Sequence, residues 1–479
     1  MTARRPEMRD GTLHADLCVI GAGSAGLSIA AGAAQMGASV VLIEADRMGG
    51  DCLNTGCVPS KALLAAAHAA HAVRNAPRLG VRAADPPIDF AAAHAHVHAT
   101  IAAIAPHDSV ERFEGLGVTV IRAAARFLDA ATVQAGGQRI RARRFVVATG
   151  SRATVPPVPG LADVPYLTNE SVFDLRALPA HLAIIGGGAI GVELAQAFRR
   201  LGSRVTLLER DRILPRDEPE AVAVVRGALL AEGVEVIERA DVTAVAREGD
   251  GIAIVLRDRG IAATHLLVAA GRTPNTDSLN LGAAGIATTP RGITVDASLR
   301  TTNRKAFAAG DVAGGPQFTH VAGYHAGIVI RQALFGLPAK VDYRALPWVT
   351  FCDPELAQVG LTEAAARQAG HAVTVLTQPL AGNDRAQAEA ATAGLIKLVV
   401  GRRGRVLGAS IVGRNAGELI GLWALAIANS IAVGKVASLV LPYPTLGEVS
   451  KRAAGGWYTP RLFSTRTRAI VGLLQRWLP

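Results

Sequence analysis

The stretch ADLCVIGAGSAGLSIAAGAAQMGASVVLIEAD, residues 15–46, decides the fold. Apolar LCVI reads as a buried strand, the glycines after it as a turn, the alanine-rich run as a helix, and SVVLIE as a second buried strand. Gly21 permits the tight turn, Gly23 lets backbone approach a pyrophosphate, and Gly26 lets helix and strand pack closely. The helix opens with unpaired N–H groups aimed where phosphates would lie. Glu44 ends the second strand, where a carboxylate can hold ribose hydroxyls.

Outward from that unit, the same grammar returns in HLAIIGGGAIGVELAQAFRRLGSRVTLLERD, residues 181–211. Its glycines are Gly186, Gly188 and Gly191, and its acid is Glu209. In both units 18 residues separate the third glycine from the acid. One such fingerprint is a weak signal, because loops match it. Two, each in strand–turn–helix–strand context and each with its acid, imply two bound dinucleotides. One is expected to be FAD and the other NAD(H) or NADP(H), since a flavin needs a reductant. Glu209 favours NADH, because its charge repels a 2′-phosphate, while nearby Arg210, Arg212 and Arg216 offer a phosphate a place.

At 479 residues, half of them hydrophobic, the chain is too long for one core, and about three domains are expected. The net charge of +11 comes mostly from scattered arginines. Without a basic run or interleaved aromatics, it argues against nucleic acid as a partner. The first residues, MTARRPEMRDGTLHAD, lack the apolar core of a signal peptide. The longest apolar stretch, residues 419–434, falls short of a membrane span and contains Asn429 and Ser430; it reads as a buried helix at a domain or subunit interface. A soluble, cytoplasmic protein is expected.

Four cysteines, Cys18, Cys52, Cys57 and Cys352, are too few for a disulfide scaffold of this size. Cys18 falls in a core strand and Cys352 before Asp353-Pro354, so both read as structural. MGGDCLNTGCVPSKALLAAAHAA, residues 48–70, places Cys52 and Cys57 around a turn-like LNTG, with a helix after Pro59. A thiol near a helix start gains from the positive dipole end, and its pKa falls. A zinc half-site, two inert cysteines and a static disulfide are the rival readings. The first lacks further ligands, the second sits poorly in a glycine-rich turn, and the third is disfavoured in a reducing compartment. A redox-active pair is favoured, and no residue is singled out as a metal ligand.

The segment GGDCLNTGCVPSK resembles the active-site segment of the pyridine nucleotide–disulfide oxidoreductases, which include dihydrolipoamide dehydrogenase, glutathione reductase and mercuric reductase. The likeness continues through VVATGS (146–151), GGGAIGVE (186–193), AAGRTPNT (269–276), FAAGDVAG (307–314), VTFCDPELAQVGLTE (349–363) and YPTLGE (443–448). It implies an α/β chain with two Rossmann-like domains, for FAD and NAD(P), and a C-terminal α+β dimerisation domain. The corresponding segments are 1–150 and 276–345 for FAD, 151–275 for NAD(P), and 346–479 for the interface of a homodimer. Gly150, Gly271, Gly310 and Asp311 fall in the matched cofactor motifs, with Asp311 on the ribityl chain. The resemblance makes Cys52–Cys57 a redox-active disulfide. Cys57 would lie against the flavin, Cys52 would meet substrate, and Lys61 and Glu193 would pair near the flavin. Hydride would pass from NAD(P)H through flavin to the cysteine pair.

One position departs from the pattern. Two of those enzymes carry His-Pro and then Glu where this chain reads Tyr443-Pro444 and Glu448. A free tyrosine titrates near 10 against about 6.5 for histidine, so making it the base costs roughly 4–5 kcal/mol. Tyrosine here resembles mercuric reductase, whose task is to reduce a soft metal ion, yet the tail LLQRWLP lacks that enzyme's vicinal cysteines. The expected acceptor is thus a small molecule or metal ion. Dihydrolipoamide dehydrogenase and an electron-donating flavoprotein serving a partner stand as alternatives.

Two further features invite a function. His68, His71, His94, His96, His98 and His107 cluster in alanine-rich helical sequence and read as a solvated face rather than a metal tract. Residues 460–479 mix arginines with Ile470, Leu473, Leu474 and Trp477. That amphipathic tail is expected to pack on its own domain, with peripheral contact to an anionic membrane as the alternative.

Overall fold

The computed structural model describes residues 4–478. Apolar runs at the carboxyl ends of the strands, LCVI, VVLI and FVV, make the centre of the first sheet: Thr12–Ile20 lies between Val40–Glu44 and Gln138–Val147, all parallel, with Thr119–Arg122 outside Val40–Glu44. Both faces are covered over those runs, whereas the first half of Gln138–Val147 alternates exposed arginines with buried Ile140 and Ala142. Helices Ser24–Gln35 and Thr319–Phe335 cover one face, and their contacts include Leu17, Val19, Phe307 and Val329. An antiparallel pair, Ala125–Asp129 with Thr132–Ala135, precedes the fourth parallel strand. The late strand Ala306–Ala308 returns to pair with Gln138–Val147.

A second sheet repeats the plan. Its parallel order is Glu235–Glu238, Arg204–Glu209, His181–Ile185, His265–Val268 and Tyr166–Leu167. Again an antiparallel insertion, Val242–Glu248 through Gly260–Ala263, precedes the fourth strand. Landmarks recur 165 residues on: Gly21 as Gly186, Gly26 as Gly191, Glu44 as Glu209. Register recurs too, with Leu17 opposite Val40 and Leu182 opposite Val205. The chain crosses between the two units twice, at Ser151–Ala153 and Arg272–Pro274, and these crossings form an antiparallel pair.

The third sheet is antiparallel throughout, in the order Pro347–Thr350, Glu355–Gly360, Val406–Gly413, Leu395–Val400, Thr374–Pro379. Its core holds the fully buried Trp423, whose indole N–H donates to Ser450 Oγ at 3.1 Å. In the apolar stretch 419–434, helix Gly421–Ala428 packs Trp423, Ala426 and Ile427 inward and leaves Leu425 exposed on the single chain. Two expectations need correction here. His68 and His71 are half-buried rather than on a solvated face, because helix Cys57–Asn75 packs against helix Ala189–Leu201. His94, His96 and His98 do border solvent, and no group of three His, Cys, Asp or Glu among the described residues is arranged to hold a metal. The tail does not pack on its own domain: helix Thr465–Leu474 buries none of its residues. Residue 479 lies outside the described range. Among the described residues, no helix is long and apolar enough to cross a membrane.

Candidate active site

The carboxyl ends of both parallel sheets open into one cleft of about 1880 Å³. That is where ligands bind in doubly wound sheets, because helix N-termini and strand ends converge there. Gly21 has φ +103°, and a side chain on it would meet Ala148 O at 2.4 Å; one on Gly26 would meet Gly21 O at 1.8 Å. Gly186 and Gly191 repeat this, against Ala269 O at 2.3 Å and Gly186 O at 1.8 Å. Gly23 and Gly188 differ: both line the cleft, and a Cβ on either would meet almost nothing within 4 Å. The first and third glycines therefore close the turn, and the second leaves room for a phosphate beside the helix start. Glu44 Oε2 accepts from Ala22 N–H at 2.6 Å, and Glu209 Oε2 from Gly187 N–H at 2.6 Å. Each acid's other oxygen accepts the N–H two residues on, from Asp46 and Asp211. The bonds fix both carboxylates at the cleft rim and leave lone pairs for ribose. Both cradles thus fit a dinucleotide.

Asp311 also lines the cleft, beside Gly310 at φ +73°. Burial raises its pKa, opposed by a 2.5 Å hydrogen bond from Ser151 Oγ and by the charge of Arg272. Behind it, Gly310 N–H donates to Nδ1 of the buried His325, whose Nε2 lies 2.6 Å from Tyr343 OH. Burial lowers the pKa of His325 to about 4, so the ring is neutral and can accept at Nδ1. Gly150 and Gly271, at φ +67° and +127°, sit at the two crossings between units and line the same cleft.

Cys52 lies in the short helix Gly50–Asn54, so the segment read as a plain turn begins as helix and breaks only at Thr55 and Gly56. Cys57 is the first residue of helix Cys57–Asn75, as its sequence position implies. Cys52 and Cys57 are both free cysteines in this structure. Cys57 faces the cleft and its pKa falls to about 6. The largest cause is a hydrogen bond from Cys52; Thr319, whose Oγ1 stands 3.2 Å from Cys57 Sγ, and the Lys61 charge add to it against burial. The same pairing pushes Cys52 up. The thiolate therefore belongs to Cys57, and Cys52 must lose a proton before it can attack an acceptor.

Lys61 Nζ lies 2.7 Å from Glu193 Oε2 and 4.5 Å above the Phe351 ring. Glu193 is buried, and its second oxygen accepts from Phe351 N–H at 2.9 Å. Residues 132 apart in sequence thus meet at the cleft wall. Tyr443 and Glu448 stand apart: neither lines the cleft of its own chain. Tyr443 is 69 % exposed, and its phenol donates to Asp384 Oδ2 at 3.1 Å, which raises its pKa further. Glu448 opens helix Glu448–Gly455.

Sequence reasoning missed the polar frame around the cysteine turn. Asp51 Oδ1 accepts from Thr55 Oγ1 at 2.7 Å and from Asn169 Nδ2 at 2.9 Å, and its Oδ2 lies 3.0 Å from Arg272. Arg272 also donates to Ser151 Oγ at 2.7 Å and stands 3.7 Å from Asp311. One guanidinium therefore links the cysteine turn, the crossing between units and the Asp311 loop. The one available signal was Asp51 directly before Cys52. Thr319 and His320, which share the cleft, carried none.

Comparison with known proteins follows the same lines. A family model described as pyridine nucleotide-disulphide oxidoreductase matches residues 15–326, and that family's dimerisation domain matches residues 346–454. The chain is 39% identical over 451 residues to a mercuric reductase of Streptomyces lividans, covering 92% of this chain and 95% of that one. It is 36% identical over 457 residues to a dihydrolipoyl dehydrogenase of Geobacillus stearothermophilus, covering 93% and 96%. Among solved structures, the Cu(II) complex of the HOCl-induced flavoprotein disulfide reductase RclA from Escherichia coli superposes with TM-score 0.83 at 29% identity, covering 92% of this chain and 99% of that one.

Proposed function

The chain belongs to the pyridine nucleotide-disulphide oxidoreductases, flavoenzymes that use FAD and NAD(P)H, and we propose that it reduces a soft metal ion or disulfide acceptor through Cys52 and Cys57. The observation that carries this reading is the placement of Cys57 at the cleft, paired with Cys52, 3.2 Å from Thr319 and one helical turn from the Lys61–Glu193 pair. Bound FAD supplies two-electron exchange between nicotinamide and sulfur. The residues do the rest. The second glycine of each fingerprint and the helix after it take a pyrophosphate, and Asp311 takes the ribityl chain. Lys61, fixed by Glu193, sets positive charge beside Cys57. Two electrons and one proton open a Cys52–Cys57 bond, leaving a thiolate on Cys57 and a thiol on Cys52, the state whose electrostatics are described above.

Tyr443 supports a mercuric-reductase-like acceptor. In a homodimer, consistent with the matched dimerisation domain, Tyr443 and Glu448 reach the cysteine pair of the partner rather than their own. A phenol pushed above its ordinary pKa stays protonated at neutral pH and is a poor acceptor of the Cys52 proton, which a dithiol substrate would need removed. NADH is the favoured reductant, because the carboxylate of Glu209 at the cleft rim would repel a 2′-phosphate, against the attraction of nearby Arg210, Arg212 and Arg216. The units are assigned as 1–150 with 276–345 for FAD, 151–275 for nicotinamide, and 346–479 for the dimer.

Steady-state rates with NADH and NADPH against Hg(II), lipoamide and glutathione disulfide test this reading. Turnover with Hg(II) and little with lipoamide supports it. Brisk lipoamide turnover keeps a disulfide acceptor but overturns the mercuric-reductase-like assignment in favour of a dihydrolipoamide dehydrogenase.

A further inference from the structure

The match to the family's dimerisation domain ends at residue 454, and the chain beyond it has a character of its own. From 455 to 478 it holds Arg461, Arg466, Arg468 and Arg476, and no Asp or Glu. Helix Thr465–Leu474 is nonetheless well defined at its start. Ser464 Oγ accepts from Thr467 N–H at 3.1 Å, and Thr467 Oγ1 donates to Arg461 O at 2.7 Å, which ties the helix to the turn before it.

At 100° per residue, Ile470, Leu473 and Leu474 share one face, which Trp477 continues in the turn after the helix; Arg468 and Gln475 lie opposite, Arg476 flanks the face, and Arg466 stands at its N-terminal end, where a long side chain can lift its charge clear. Nothing among the described residues of the chain covers the apolar face. Leu473 is 58 % exposed and Trp477 82 %, in a protein whose other large cores are sealed. The nearby Leu462 and Phe463 are exposed as well.

Charge decides what can cover it. A second tail brought against the first would set arginines against arginines with no acid between them, on a chain already carrying +11. An anionic surface meets both needs, taking the cations at its headgroups and the apolar face below them. At 1.5 Å per residue, the ten residues of the helix reach only about half of a bilayer's ~30 Å core, so the helix lies in the interface rather than across it. Trp477 at the rim of the apolar face matches the headgroup level that indoles favour.

We propose that residues 459–478 are an in-plane anchor that docks this protein on anionic lipid bilayers. The test is co-sedimentation of the full-length, flavin-loaded protein with vesicles of phosphatidylcholine alone or with about one-third phosphatidylglycerol. Binding to the anionic vesicles only, reduced at least about tenfold by Arg466→Gln/Arg468→Gln/Arg476→Gln and by Ile470→Glu/Leu474→Glu, supports the anchor. NADH oxidation and flavin content of both variants should match the parent, which excludes misfolding. Quenching of tryptophan emission by brominated lipid in the parent, lost in Trp477→Ser, places the helix at the surface. Failure of the parent to bind anionic vesicles overturns the proposal. So does undiminished binding by the Ile470→Glu/Leu474→Glu variant. If that variant instead turns a dimer into a monomer by light scattering while the parent ignores vesicles, the face belongs to a second copy, and the proposal is also overturned.

Discussion

Replacing Cys52 by alanine removes the largest influence on the Cys57 thiol, and the consequence can be worked out for alkylation. With its pKa near 6, Cys57 is about nine-tenths thiolate at pH 7 and about one-tenth at pH 5. The folded pKa is depressed, so reactivity is full above it and is lost as pH falls through about 6. Alanine at 52 cannot donate, and burial then works against the Lys61 and Thr319 contributions. An ordinary thiol near 8.5 would be only about 3% ionised at pH 7, so the Cys57 alkylation rate should fall about 30-fold. Iodoacetamide labelling of the reduced, flavin-loaded protein from pH 4.5 to 9, with Cys57 followed by peptide mass spectrometry, reads both curves. A parent rate that keeps climbing beyond pH 8 would refute the reasoning, as would a Cys52→Ala curve superposed on the parent's.

Gly26→Ala should lose FAD during purification, whereas Gly191→Ala should keep its yellow colour but raise the KM for NADH, because each Cβ meets a turn carbonyl at 1.8 Å in a different cradle; absorbance at the flavin band and steady-state kinetics check both. Arg272→Met should cost about 2–3 kcal/mol in denaturant unfolding, since it leaves the half-buried Asp51 and Asp311 facing each other without a cation. Trp423→Ala should cost about 3–5 kcal/mol through the cavity it opens in the third sheet, with the flavin spectrum unchanged at low temperature.

Glycine fingerprints made the two nucleotide units legible, because their chemistry is local: a turn, a helix start and an acid lie within 30 residues. The Cys52–Cys57 pair was readable for the same reason. What escaped was everything built from distant chain. Thr319 is 262 residues from Cys57 yet bonds its sulfur, and Arg272 reaches Asp51 across 221 positions. No periodicity encodes such meetings. The His68 and His71 faces were misjudged because an alanine-rich helix has little amphipathic contrast to say which side packs. The tail was misjudged for a different reason: an apolar stripe shows what a helix can bury, not whether this chain supplies the partner.

Because the two chain crossings are hydrogen-bonded to each other, the nicotinamide unit hangs from a two-ply strap rather than a single tether. Arg272 sits in one ply and grips carboxylates on either side of the flavin cradle. A tilt of the suspended unit would bear on Asp51, the residue immediately before Cys52, through that guanidinium rather than through either cradle.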